Sequence, residues 1–158
     1  MIGTDAPPKR TPGAIVTTVF SVPVGSLESW RNRFRHAGIA VSDVEAHFGE
    51  PAIGITDPSG LLFEIVANAE DKRQPWTGVH EEDEAIRGIH SVTMMVRQAG
   101  PSIDFLTNTL GYRVIAQSGN RTRTAAGGDT PGHFIDVVED NNARTAVNGL
   151  GTVHHVAM

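Results

Sequence analysis

The stretch AIVTTVFSVPVGSLESWRNRFRHAG, residues 14–38, and its later echo IHSVTMMVRQAGPSIDFLTNTLG, residues 89–111, decide the fold. Each opens with a β-branched strand candidate and continues into a helix candidate that ends at glycine. In the first, Leu27, Trp30, Phe34 and Ala37 recur at helical spacing after Ser26, a residue suited to cap a helix, and Gly38 supplies the stop. In the second, Pro101 falls near the first helical turn and Gly111 follows the end. Strand candidates IAVSDVEAHF, PAIGITD and LLFEIVA follow the first helix, and YRVIAQS, RTRTAA and GHFIDVVE follow the second. The turn DPSG, Asp57 to Gly60, joins two of them by proline and glycine chemistry. The chain is therefore an internal repeat of β-α-β-β-β. Thr17 to Ser91 is an offset of 74, Gly38 to Gly111 of 73 and Glu64 to Asp136 of 72.

This gives an α+β fold of two paired βαβββ modules, residues 13–67 and 88–140, joined by a polar linker at 68–87. The linker holds Pro75 and Trp76, suited to pin it to a surface, and the acidic run HEEDE, read as a solvated face. The sequence closes on GTVHHVAM, residues 151–158. Laid over GAIVTTVF it places His155 at the position of Thr17 and reads as the first strand of an incomplete third module.

Composition narrows the function. A formal net charge of −5 argues against nucleic acid or an anionic membrane surface as a partner. The absence of cysteine removes disulfides, thiolate nucleophiles and cysteine-based zinc sites, and suits a cytoplasmic protein. The first residues read as a polar, proline-rich segment and not as a signal peptide. No HExxH or HxH spacing, no GxSxG and no phosphate-binding loop is present; Gly127-Gly128 reads as a hairpin loop.

The ordered set VPVGSLESW, FGEPAIGITDPSGLLFEIV, AIRGIHSVT, GYRVIAQSGNRTRTAAGG and GLGTVHHVAM resembles the vicinal oxygen chelate superfamily, which holds glyoxalase I, bleomycin-resistance proteins and extradiol dioxygenases. Within it the chain is most similar to hydroquinone-type ring-cleaving dioxygenases of about four modules, and it resembles modules two and three plus the start of module four. The resemblance implies two modules closing a bowl-shaped mixed sheet, with functional positions on the first and last strands. Those positions are Thr17 and Ser91 as bowl-lining residues, and Glu64 and Asp136 as candidate metal ligands. In such enzymes Fe(II) or Mn(II) is held by two histidines and a glutamate. By register His155 corresponds to one of these ligands, and the other two have no counterpart here.

The expectation is thus a part of a ring-cleaving dioxygenase that opens dihydroxylated aromatic rings with O2, this chain carrying mainly the companion, non-catalytic bowl. Whether the chain is itself an enzyme stays open, as does the presence of any metal within it, and no catalytic residue is assigned. Two alternatives stand beside it: a metal-free module of the bleomycin-resistance type that binds a small aromatic molecule, and a glyoxalase-type metal-dependent isomerase or lyase using Glu64 and Asp136. Strand alternation places His90 opposite to Ser91, away from the bowl, and His154 opposite to His155. His36, His47, His80 and His133 read as solvated. An unpaired closing strand would favour a homodimer by strand exchange.

Overall fold

The computed structural model describes residues 13–78, 81–143, 153 and 155–157. The first repeat is β1 (Ala14–Val22), α1 (Leu27–His36), β2 (Val41–His47), β3 (Glu50–Thr56) and β4 (Leu62–Ala67). The second is β5 (Gly88–Val96), α2 (Ala99–Asn108), β6 (Arg113–Ser118), β7 (Arg121–Ala125) and β8 (Phe134–Glu139). These eight strands join one curled mixed sheet in the order β2-β3-β4-β1-β5-β8-β7-β6, the α+β bowl that the resemblance implies. Each first strand lies parallel to the last strand of its own repeat, β1 to β4 and β5 to β8. The two repeats meet where β1 pairs antiparallel with β5.

The helices cover the outer face, one per repeat. Under α1, Trp30 packs with Val22, Ile53 and Ile65, supported by Phe20 and Phe34. Under α2, Leu106 packs with Val92, Val96, Ile135 and Val137. The period-2 alternation of each strand sends these apolar residues outward and leaves Thr17, Glu64, Ser91 and Asp136 for the inner, concave face. All four are buried.

Local chemistry departs from expectation at several points. Ser26 stands at the start of α1, but its hydroxyl donates to the Pro23 carbonyl at 2.7 Å and caps no helix amide. Trp76 is exposed, while Pro75 is buried. The linker is instead fixed by polar contacts. Trp30 Nε1 donates to the Glu84 carbonyl at 2.8 Å, and Asp71 accepts from Ser21 Oγ and from the Arg73 guanidinium. Within HEEDE, residues 81–83 are exposed and Glu84 pairs with Arg33 at 3.3 Å. The DPSG turn closes through Asp57 Oδ1, which accepts from the amides of Ser59 and Leu61 at 2.9 and 2.8 Å. Val153 makes one antiparallel bridge to Ile15; His154 and residues 144–152 lie outside the described residues. No helix among the described residues is long and apolar enough to cross a membrane.

Trp30 joins a core cluster to the linker, so Trp30→Ala removes both a buried ring and a hydrogen bond. The expected cost is about 3–5 kcal/mol, measured as a drop in unfolding free energy by urea titration; a change below about 1 kcal/mol would show that α1 and the linker are not held through this ring.

Candidate functional site

Three elements meet on the concave face near its centre. The hairpin from β2 to β3 turns on Phe48 and Gly49, both at positive φ (55° and 80°), the combination that suits a tight two-residue hairpin turn. It delivers Glu50 into the bowl. On β7 the alternation in RTRTA points Arg121 and Arg123 to the same face. On β8 the same alternation presents Asp136, which lies directly opposite Arg123 in the antiparallel ladder.

These side chains form one charged network. Arg123 grips Asp136 with two bonds, Nε to Oδ1 at 2.8 Å and Nη2 to Oδ2 at 3.0 Å, and its Nη1 reaches Glu50 Oε2 at 2.7 Å. Arg121 Nη1 adds a bond to Asp136 Oδ2 at 2.9 Å and another to Thr93 Oγ1 at 3.2 Å. The Arg123 guanidinium also lies 4.5 Å from the Phe48 ring centroid and 5.0 Å from that of Phe134, faces that attract a cation. Glu50 Oε1 accepts from Asn68 Nδ2 at 2.6 Å and sits 3.1 Å from His90 Nε2. An ionised carboxylate only accepts, so His90 donates through Nε2, and its Nδ1 faces Ser91 Oγ at 3.0 Å.

Burial alone would push the Glu50 carboxyl up. The hydrogen bonds and charges of His90 and Arg123 outweigh it and hold the pKa at about 2. Burial also pulls the Arg123 guanidinium down, but Asp136 and Glu50 raise it overall, so it keeps its charge. At the rim, burial and the nearby charge of Arg121 lower the pKa of His47.

His90 corrects the expectation from alternation. Between Val19 and Phe20 on β1 the ladder slips: Val19 faces Ser91, yet Phe20 faces Ile89. His90 is the extra residue of that bulge, and a bulge turns two successive side chains toward one side. Both His90 and Ser91 therefore line the bowl.

The expected site residues are placed as follows. Glu64 and Asp136 line the same narrow space in the bowl, only about 10 Å³, room for at most one water. Thr17 opens instead on a wider polar mouth of about 290 Å³, shared with Asp43, Glu45, His47, Glu64 and Thr93. His155 is exposed, on the segment that follows the Val153 bridge, and lines neither space. Ser91 lies beside His90.

As a metal centre the donor set fits poorly. Fe(II) or Mn(II) for oxygen chemistry calls for imidazoles and carboxylate on one side with open positions. Here both oxygens of Asp136 and both of Glu50 are engaged by guanidinium, imidazole or amide donors. Among the described residues no group of three or more His, Asp or Glu side chains could hold a metal ion. The arrangement neutralises charge and rigidifies; it leaves no ligand sphere open.

Sequence reasoning missed Glu50, His90, Arg121 and Arg123. The arginines carried a signal, since residues 121 and 123 on one strand must share a face with whatever β8 presents. His90 carried none, because the bulge arises from pairing.

The chain is 32% identical over 146 residues to a Bacillus subtilis protein named "Putative ring-cleaving dioxygenase MhqO", covering 92% of this chain and 46% of that one. It is 30% identical over 154 residues to the chlorohydroquinone/hydroquinone 1,2-dioxygenase of Sphingobium indicum, covering 94% and 48%. The crystal structure of a "putative dioxygenase" from Bacillus subtilis superposes with a TM-score of 0.81 at 31% identity, over 93% of this chain and 47% of that one. Maize glyoxalase I shares the fold at a TM-score of 0.60 and 10% identity, over 83% and 44%. The chain spans about half the length of the curated relatives it matches. No protein-family model matches it.

Arg123→Met would leave two carboxylates in the bowl without their shared cation, at an expected cost of about 3–5 kcal/mol, read from urea titration at pH 7. The Glu50 shift also sets a pH dependence. Its folded pKa lies below the unfolded one, so its contribution is present above about pH 4.5 and is lost as pH falls toward 2. Stability is expected to decline through that window and Glu50→Gln to flatten the decline only in part, because Asp71, also held at about 2, still titrates over a similar range. Identical acid profiles for the two proteins would show that the Glu50 contacts contribute nothing.

Proposed function

We propose, for a chain that carries the vicinal oxygen chelate fold and is related by sequence to bacterial ring-cleaving dioxygenases, a role as the companion bowl of such an enzyme. The whole enzyme opens a dihydroxylated aromatic ring with O2, and a divalent metal held outside this bowl supplies the activation of oxygen. The observation that carries the companion role is the Arg123 guanidinium bound between Glu50 and Asp136. A tethered cation stands on Asp136, one of the two carboxylates that a metal would use in this bowl, and ties it to Glu50.

The same contacts weigh against the glyoxalase-type reading, in which Asp136 would be a metal ligand. Its two oxygens already accept three bonds from Arg121 and Arg123, and displacing them would strand the buried Arg123 and the half-buried Arg121. The bowl instead acts as a stiff platform, its strands tied across the β1–β5 seam by Glu50 from one repeat and Arg123 from the other.

The purified chain, loaded anaerobically with Fe(II) and freed of excess, is expected to retain no iron by mass spectrometry and to show no oxygen uptake with hydroquinone. Stoichiometric iron together with oxygen uptake would overturn the companion role. The dioxygenase reading has its own test: deleting the coding segment in the organism that makes this chain is expected to abolish hydroquinone-dependent oxygen uptake in cell extracts, and unchanged uptake would count against it.

A further inference from the structure

The mouth of the bowl, a space of about 290 Å³, has a polar lining whose partners can be followed one by one. Arg121 Nη1 engages Asp136 Oδ2 and Thr93 Oγ1 at 2.9 and 3.2 Å. Asp43 pairs with Arg31 at 2.7 Å, and Ser42 Oγ donates to the Gly54 carbonyl at 3.3 Å. Two groups stand apart. Glu45 lies exposed on β2 and makes no hydrogen bond or ion pair with the described residues. The Thr17 hydroxyl makes none with them either, although the residue is only 4% exposed. A buried polar group without a partner is rare and calls for an explanation. The ladder accounts for where it points. Ile15 faces Met94 and Thr17 faces Thr93, so Val16 is an extra residue, and this second bulge turns Val16 and Thr17 together into the mouth. The lining is also acidic: Asp43, Glu45 and Glu64 stand against one guanidinium, that of Arg121, which is bonded to Asp136 in the narrow space beyond. His47 adds no second cation, because burial and Arg121 lower its pKa and keep the imidazole neutral at pH 7.

We propose that this mouth binds a small primary amine with a compact apolar body, at a site separate from the ion-paired centre of the bowl. The ammonium, with three donors and no acceptor, meets the Glu45 and Glu64 carboxylates and gives the Thr17 hydroxyl an N–H to accept. The body packs on Val16, Val44, Met95 and Val138, which line the same space. Apolar walls with a few convergent polar groups are the usual form of a small-molecule site. An organic cation fits where a metal ion does not, since among the described residues no three His, Asp or Glu side chains could hold a metal ion. An unpartnered buried hydroxyl works against folding, and such violations gather at functional sites. The site belongs to this chain alone and rests neither on the companion role nor on a metal.

Adjacent methionines make the test selective. Met95 lines the mouth, and Met94, its neighbour on β5, lines the groove beside α2 on the outer face. With methyl-labelled methionine, titration of the purified chain with 2-phenylethylamine at pH 7 is expected to move the Met95 resonance saturably while Met94 stays fixed. The neutral analogue 2-phenylethanol is expected to bind at least tenfold more weakly. Glu45→Gln, a change at an exposed position, is expected to weaken amine binding at least threefold. Thr17→Val keeps the shape and removes the hydroxyl. It is expected to weaken binding at least threefold while leaving the urea midpoint unchanged or raised, a combination that a merely structural hydroxyl would not give. Movement of Met94 alone would put the ligand on the outer face and overturn the proposal. No saturable shift at millimolar amine, equal affinity for the alcohol, unaltered binding in either variant, or a fall in the Thr17→Val midpoint would each overturn it too. None of these outcomes touches the companion role, which the iron and oxygen measurements decide.

Discussion

The bond between Arg123 and its two carboxylates is the constraint around which the concave face is arranged. Glu50 comes from the first repeat, Asp136 and Arg123 from the second, and all three are largely withdrawn from water. Two carboxylates so placed would repel each other and would each forgo hydration, a cost of several kcal/mol per unpaired ion. The guanidinium meets both with directed bonds, and Phe48 and Phe134 offer ring faces to its remaining surface. Even the turn that presents Glu50 depends on this packing: Phe48 holds a positive φ that an aromatic residue seldom adopts, and its ring lies against the cation.

The near-symmetry of the repeats makes the arrangement easier to understand, because it fails where the charge sits. In the ladders Gly54 faces Glu64 as Arg123 faces Asp136. A Cβ on Gly54 would come within 2.6 Å of Ser42 Oγ and 2.9 Å of Val44 Cγ2, so a side chain there would require Ser42 and Val44 to shift. One guanidinium, that of Arg123, serves Glu50 of the first repeat and Asp136 of the second, so the network crosses the seam. On the outer face Trp30, Phe20 and Phe34 fill the first repeat, whereas Tyr112 is the aromatic packed with Leu106 and Ile135 in the second.

The resemblance supplied Glu64 and Asp136 as concave-face positions, while the repeat and its element order were legible from strand alternation and from offsets of 72 to 74 residues. Those features follow from local periodicity, which a sequence displays. The face of His90 was not legible, because alternation assumes an unbroken ladder and the slip against β1 exists only once β1 and β5 pair. Ser26 had the right chemistry for a cap, yet its hydroxyl found a nearer carbonyl in Pro23. Trp76 looked like an anchor because it is large and apolar, but the buried partner of the linker is Trp30, 54 residues away from the Glu84 carbonyl it holds. The arginines were visible as a pair on one face, and what they faced depended on the β7–β8 register.

A bowl with carboxylates on its inner strands poses one electrostatic problem, and a cation must answer it. A bound divalent metal answers it conditionally, since the ion can leave, and ligand protonation or exchange changes its hold. A guanidinium tethered to β7 answers it permanently, because arginine stays charged at any pH a protein meets and cannot diffuse away. The two answers have different consequences for chemistry. A metal keeps positions open to substrate and oxygen, whereas Arg123 and Arg121 spend their donors on Asp136, Glu50 and Thr93. Once the charge is met from within, the concave face no longer needs a ligand to fold, and the same strands that could frame a reaction become a fixed wall.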